Sequence, residues 1–155
     1  MTETEKAYIA GIVDGEGSIH VGFVKRKQCK MPDCITFVQI ANTDEPVMRW
    51  LKAIIGYGII TKVPARKRGY RTIYHWVARY QQAVRILTDI MPYLRIKRRQ
   101  AELLCELEQI RHGQPKRCKN REQSLDVLSQ YNVIAEAIRI LNKSRMLTNK
   151  QLKLI

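Results

Sequence analysis

The 155-residue chain contains no apolar run near the ~18 residues that a membrane-spanning helix needs. Met1 to Lys6 carries Glu3, Glu5 and Lys6, with no apolar block behind a basic stretch, so no secretory leader is expected and the protein should stay inside the cell or organelle that makes it. The cysteines Cys29, Cys34, Cys105 and Cys118 form no C-x-x-C pair, and His20, His75 and His112 are scattered, so no zinc spacing arises. Free thiols in a reducing compartment are the expectation, although Cys29 and Cys34 flank a loop and could pair. A serine-hydrolase elbow, a phosphate loop and a dinucleotide fingerprint are all missing. Acid is missing from one stretch as well: between Thr61 and Gln100, Asp89 is the only acidic residue beside eleven Lys and Arg.

Hydrophobic residues make up 45% of the chain, an ordinary fraction for a globular protein, and the length suits one domain over 1–155. Residues 1–112 read as its core, 113–123 as a basic loop and 124–155 as a C-terminal helical extension. The net charge is +14, yet Met1 to Ile60 carries seven residues of each sign. Ten of the surplus charges thus fall between Thr61 and Gln100. So lopsided a distribution points to a polyanionic partner, nucleic acid above all. A membrane surface fits less well, because these cations sit among strand-like segments and not on one amphipathic helix.

Glu3–Asp14 reads as a helix with Thr4 as a candidate cap, followed by Gly15-Glu16-Gly17, where glycine favours leaving the helix. Ser18–Lys27 alternates as a strand, with Ile19, Val21 and Phe23 on one side and His20, Gly22 and Val24 on the other. Cys34–Ala41 is its hairpin partner, and Pro46–Ile55 a helix. Ile59–Val63 and Arg71–Ala78 form a second hairpin around a basic loop. Helices follow over Gln81–Met91, Arg95–His112 and Ser124–Asn142. The order αββαββα describes an α+β fold: a four-stranded antiparallel sheet, helices on one face, and further C-terminal helices.

The segment Ile9-Ala10-Gly11-Ile12-Val13-Asp14-Gly15-Glu16-Gly17 resembles the signature of the LAGLIDADG homing endonucleases, and Pro92-Tyr93-Leu94-Arg95-Ile96-Lys97 is similar to the stretch that leads into their later helices. Independently of that resemblance, Ala7, Gly11 and Gly15 leave one side of the first helix almost bare. Glycine costs about 1 kcal/mol against alanine within a helix. Either this helix packs tightly on its own core, or two copies approach backbone to backbone. With one motif per chain, the resemblance implies the second: a twofold homodimer with Ala7, Ala10, Gly11, Asp14 and Gly15 at the interface. It also implies a double-strand DNA endonuclease, encoded within an intron or intein, that leaves short 3′ overhangs. Glu16 and the Gly15 carbonyl would bind Mg²⁺ or Mn²⁺, where paired carboxylates and helix dipoles would otherwise repel. Lys97 falls at the family's active-site lysine, which implies a catalytic charge stabiliser or water activator, although its context alone reads as a solvated run with Arg95, Arg98 and Arg99. Asn42 stands where a water-ordering glutamine is usual, and Arg49 is a further candidate near the site. The family also includes RNA maturases, so intron RNA is an alternative partner, and a non-cleaving DNA-binding protein is a third reading.

A two-stranded antiparallel ribbon fits the major groove of DNA. At about 3.3 Å per residue, a ten-residue strand spans roughly one helical turn, so two subunits would cover about 20 base pairs of a pseudo-palindrome. Base contacts are expected from His20, Val24, Arg26 and Gln39 in the first hairpin, and from Thr61, Arg66, Arg68, Arg71 and Trp76 in the second. Arginine suits guanine and glutamine suits adenine. Lys25, Lys27, Lys30, Lys62, Lys67, Lys116 and Lys119 are expected at phosphates. Ile35 and Phe37 share the parity of Gln39, which requires either a bulge or a partly apolar reading surface.

Overall fold

The computed structural model describes residues 1–25, 32–65, 68–113 and 125–152, with side chains of the last helix described over 126–143. Helix α1 (Glu3–Glu16) is capped by Thr2, two residues earlier than the expected Thr4. The Thr2 hydroxyl accepts from the Glu5 N–H, and the Glu5 carboxylate accepts from the Thr2 N–H at 2.7 Å, a reciprocal capping box. At its other end the helix does not stop at Asp14 but continues through Gly15 and Glu16. Strand β1 (Gly17–Val24) follows with no intervening loop. A Cβ on Gly17 would lie 2.5 Å from the Val13 carbonyl oxygen, so the abrupt change from helix to strand needs glycine there.

The remaining elements are β2 (Asp33–Asn42), α2 (Glu45–Ile55), β3 (Ile59–Val63), β4 (Ile73–Arg79), α3 (Gln81–Ile90), a 3-10 turn (Met91–Tyr93), α4 (Arg98–His112) and α5 (Leu125–Leu152). The strands form one antiparallel sheet in the order β1-β2-β4-β3. The alternating pattern thus buries Ile19, Val21, Val38, Ile40, Trp76 and Ala78 beneath the helices, while His20, Val24, Thr61 and Arg79 are exposed on the other face. Each large apolar side chain buried there contributes about 1.5–3 kcal/mol. Helix α5 packs on β1 and α4 through Val127, Tyr131, Ile134 and Ile138, and Asn142 Nδ2 donates to the Ile19 carbonyl at 3.1 Å.

Two buried polar arrangements tie the helices to the sheet. Thr36 donates to Glu108, which pairs with Arg111 at 2.7 Å, and Arg111 donates to the Cys34 carbonyl at 2.6 Å. Trp76 is fully buried and donates from Nε1 to the Tyr57 carbonyl at 3.0 Å. Its indole lies against Gly58, where a Cβ would come within 2.4 Å of Nε1 and φ is +89°. Cys34 and Cys105 are free thiols, and burial pushes both above the usual thiol range. Among the described residues no helix is long and apolar enough to cross a membrane.

Gly58→Ala combines a left-handed backbone with a clash against the indole and should lower stability by about 2–4 kcal/mol in urea unfolding. Tyr57 buries a hydroxyl without a hydrogen-bond partner among the described residues, and burial pushes its pKa up to about 12. The unfolded chain releases that proton first, near pH 10, so the folded state loses stability as pH rises from there toward 12. Tyr57→Phe should leave stability at pH 7 equal or higher and reduce that alkaline loss, measured by thermal melts across the pH range.

Candidate active site and nucleic-acid interface

The last turn of α1 is held by a buried clasp. The Asp14 carboxylate, 6% exposed, accepts three backbone N–H bonds, from Arg95 (2.8 Å), Ile96 (3.1 Å) and Lys97 (2.9 Å). In return the Lys97 ammonium, 5% exposed, donates to the carbonyls of Val13 (2.7 Å) and Asp14 (2.9 Å). A cation on the terminal carbonyls of a helix satisfies their lone pairs and opposes the negative end of the dipole. Lys97 is therefore no solvated member of its basic run; Arg98 and Arg99 pair instead with Glu102 on the surface of α4. The clasp turns Asp14 inward, and Ala10 is wholly buried in the chain's own core, so neither lies on the open side of α1 where an interface was expected of them.

That open side is the stripe Ala7, Gly11 and Gly15, all exposed. A Cβ added at Gly11 or Gly15 would meet nothing within 4 Å. Tyr8, 55% exposed, flanks the stripe and packs edge-on against Trp50, ring centroids 5.4 Å apart. At the stripe's end Glu16 is exposed, and its carboxylate has no hydrogen bond or ion pair among the described residues. Gly17 pairs with Ile40, so the end of β2 runs past this corner and places Asn42 beside it. Asn42 Oδ1 accepts the Asp44 N–H at 2.9 Å, and Asp44 caps α2. Arg49 folds back on Glu45, whose second oxygen accepts from the Tyr74 hydroxyl; that bond, then Arg49, holds the Glu45 carboxyl below its usual range. Arg49 thus lines a groove with Lys62 and Tyr74 and is taken up there.

The donors at the α1 corner are hard oxygens, one carboxylate and the carbonyls of a helix terminus, which suit Mg²⁺, Mn²⁺ or Ca²⁺ and not a soft metal. Among the described residues no group of three or more His, Cys, Asp or Glu gathers anywhere. Among the described residues Glu16 is the one carboxylate at this corner without a hydrogen bond or ion pair.

On the exposed sheet face stand His20, Val24 and Thr61, with Lys25, Arg68 and Arg71 exposed beyond the strand ends and Gln39 half-buried. Trp76 is corrected: its parity with Tyr74 and Ala78 puts it in the core, out of reach of a base. Lys62 pairs across from Tyr74, so it leans to the helix side, its Nζ 5.8 Å from the Tyr74 ring. Arg26, Lys27, Lys30, Arg66, Lys67, Lys116 and Lys119 lie outside the described residues. The β1–β2 register is unbroken from Gly17–Ile40 to Val24–Asp33, so Ile35 and Phe37 share the face of Gln39 without a bulge. Phe37 stacks on His20 with centroids 4.7 Å apart. His75 was missed: Gln39 Nε2 lies 2.8 Å from its Nδ1, and strict alternation through Tyr74, Trp76 and Ala78 would have put it on this face.

No protein-family model matches the sequence, and no curated protein matches it. Solved structures do match in fold. The homing endonuclease I-CvuI in complex with its target superposes with a TM-score of 0.72 at 20% identity, over 89% of this chain and 82% of that one. The archaeal intron-encoded homing endonuclease I-Vdi141I, complexed with DNA, gives 0.60 at 16% identity over 90% and 98%. The LAGLIDADG homing endonuclease I-SmaMI, bound to cleaved DNA, gives 0.65 at 18% identity over 84% of this chain but 42% of its own.

Asp14→Ala would strand three buried backbone donors and leave the buried Lys97 ammonium without its neighbouring negative charge. It should cost about 3–5 kcal/mol in urea unfolding, and Asp14→Asn, which keeps one acceptor oxygen, less.

Proposed function

We propose that this chain, which has the fold of the LAGLIDADG homing endonucleases, is a site-specific double-strand DNA endonuclease acting as a homodimer with a divalent cation. The observation that carries the reading is the free carboxylate of Glu16 at the end of an uncovered, side-chain-poor helix face. Two copies abutting along Ala7, Gly11 and Gly15 bring their backbones close and their Glu16 carboxylates together. Like charges and two negative helix ends then repel, which favours cation binding there.

Glu16 and the Gly15 carbonyl oxygen are the groups that would hold Mg²⁺ or Mn²⁺. When bound, such an ion supplies water activation and stabilises the attacking and leaving oxygens of phosphodiester hydrolysis. That the I-CvuI complexes formed in the presence of Ca or Mg supports a divalent cation here. Lys97 is the positioning residue: its ammonium holds the Val13 and Asp14 carbonyls in the last turn of α1 and adds fixed positive charge behind the reacting phosphate. Asn42, at the same corner, orders water from its amide nitrogen.

The open sheet face enters the major groove, its ten-residue β2 matching roughly one helical turn per subunit. Two subunits read about 20 base pairs of a pseudo-palindrome, a length suited to a cutter of rare sites. With I-Vdi141I intron-encoded, the reading extends to a gene within an intron or intein and to cleavage of its insertion site with short 3′ overhangs.

The test is cleavage of a duplex spanning the uninterrupted insertion site, in Mg²⁺. Glu16→Gln should keep binding and lose cutting by about a hundredfold or more. Undiminished cutting by that variant would remove Glu16 from the site, and no cutting by the unaltered chain would remove the nuclease.

A further inference from the structure

The exposed sheet face is poor in the side chain that most often reads guanine. Arginine bidentate to guanine is the commonest specific base contact. Among the described strand positions on this face, arginine occurs only as Arg79, at the end of β4 away from α1. Nearer α1 the face instead carries Gln39 and His75, with Val77 directly across from Gln39.

Gln39 Nε2 can only donate, so its 2.8 Å contact makes His75 Nδ1 the acceptor and leaves neutral His75 with its proton on Nε2. The two side chains therefore present a fixed pair of groups to a ligand: an acceptor, Gln39 Oε1, and a donor, His75 Nε2–H. Adenine shows the complement in the major groove, an N6 amino donor beside the N7 acceptor. Guanine shows two acceptors there, O6 and N7, and would set O6 against Gln39 Oε1. The apolar side chain of Val77 beside the pair suits the methyl group of the partnering thymine.

We infer that Gln39 and His75 together read an adenine in an A·T pair, with Val77 against the thymine methyl. The inference rests on the endonuclease reading above. Register sets the position: Gln39 pairs with Ser18, two residues beyond Glu16, roughly 7 Å along the strand and so within the first few base pairs outside the cleavage centre.

The experiment selects bound duplexes from a pool randomised over both half-sites, using the full chain with Ca²⁺, and then modifies the selected duplex. An adenine should recur at one symmetric position per half-site close to the centre. Replacing it with 7-deazaadenine, which lacks N7, should weaken binding by the unaltered protein about tenfold, and uracil for its partner thymine should weaken it severalfold. His75→Ala and Gln39→Ala should each relax selection at that position alone, and His75→Gln, which retains a donor, should restore part of it. Guanine selected there, or unchanged binding to the 7-deazaadenine duplex, overturns the inference while leaving the endonuclease reading intact. Failure to select any duplex above background overturns both.

Discussion

The structure turns on one buried exchange of charge at the end of the first helix. Asp14 gathers the three N–H groups of residues 95–97, and Lys97 returns its ammonium to the carbonyls of Val13 and Asp14. Burying either charge alone would cost several kcal/mol, and these five bonds offset that cost only while both residues are present. The clasp locks the last turn of α1 to the entrance of α4. It lets the helix run through Gly15 to Glu16, where local propensity would have ended it, and it fixes which side of α1 faces outward.

Two surfaces follow from that placement. One is the bare stripe of α1, where glycine sacrifices helix stability for an open backbone that nothing among the described residues covers. The other is the sheet face turned away from the helices, which Glu16 adjoins because β1 begins at the next residue. With one free carboxylate at this junction among the described residues, the chain is half of a catalytic centre in the proposed reading, and symmetry completes it. The cation excess of residues 61–100 is also divided by the fold: Lys97 is spent in the clasp, Arg98 and Arg99 on Glu102, and Arg85 lies 5.3 Å from the Tyr57 ring centroid. The exposed sheet face keeps a more neutral character, with Gln39, His75, Phe37 and Val77 at its centre.

Element order and the sheet could be read from residue periods, because alternation and helical spacing are properties of the chain itself. Ile59–Val63 coincides with β3, and Ile19, Val21 and Phe23 took the core side as their parity required. Thr2 was available as the cap, since Thr2 and Glu5 have the capping-box spacing, but Thr4 lay nearer the apolar stripe. Trp76 was misplaced because it was set on one face with Arg71 despite their opposite parity; strict alternation turns it inward with Tyr74 and Ala78. Lys97 and Asp14 could not be read as a buried pair from local context, since their contact joins positions 83 residues apart and each looks like an ordinary surface charge. The inward turn of Ala10 follows from the same clasp, which sets the rotation of α1 about its axis.

Sedimentation equilibrium of the full chain, alone and with Gly11→Arg, bears most directly on the pairing of two chains through α1. The account predicts a species of about 36 kDa, twice the 18.1 kDa chain, that falls to a folded monomer when an arginine side chain fills the open stripe. A monomer that cuts its duplex unaided, or a dimer indifferent to the arginine, would contradict it.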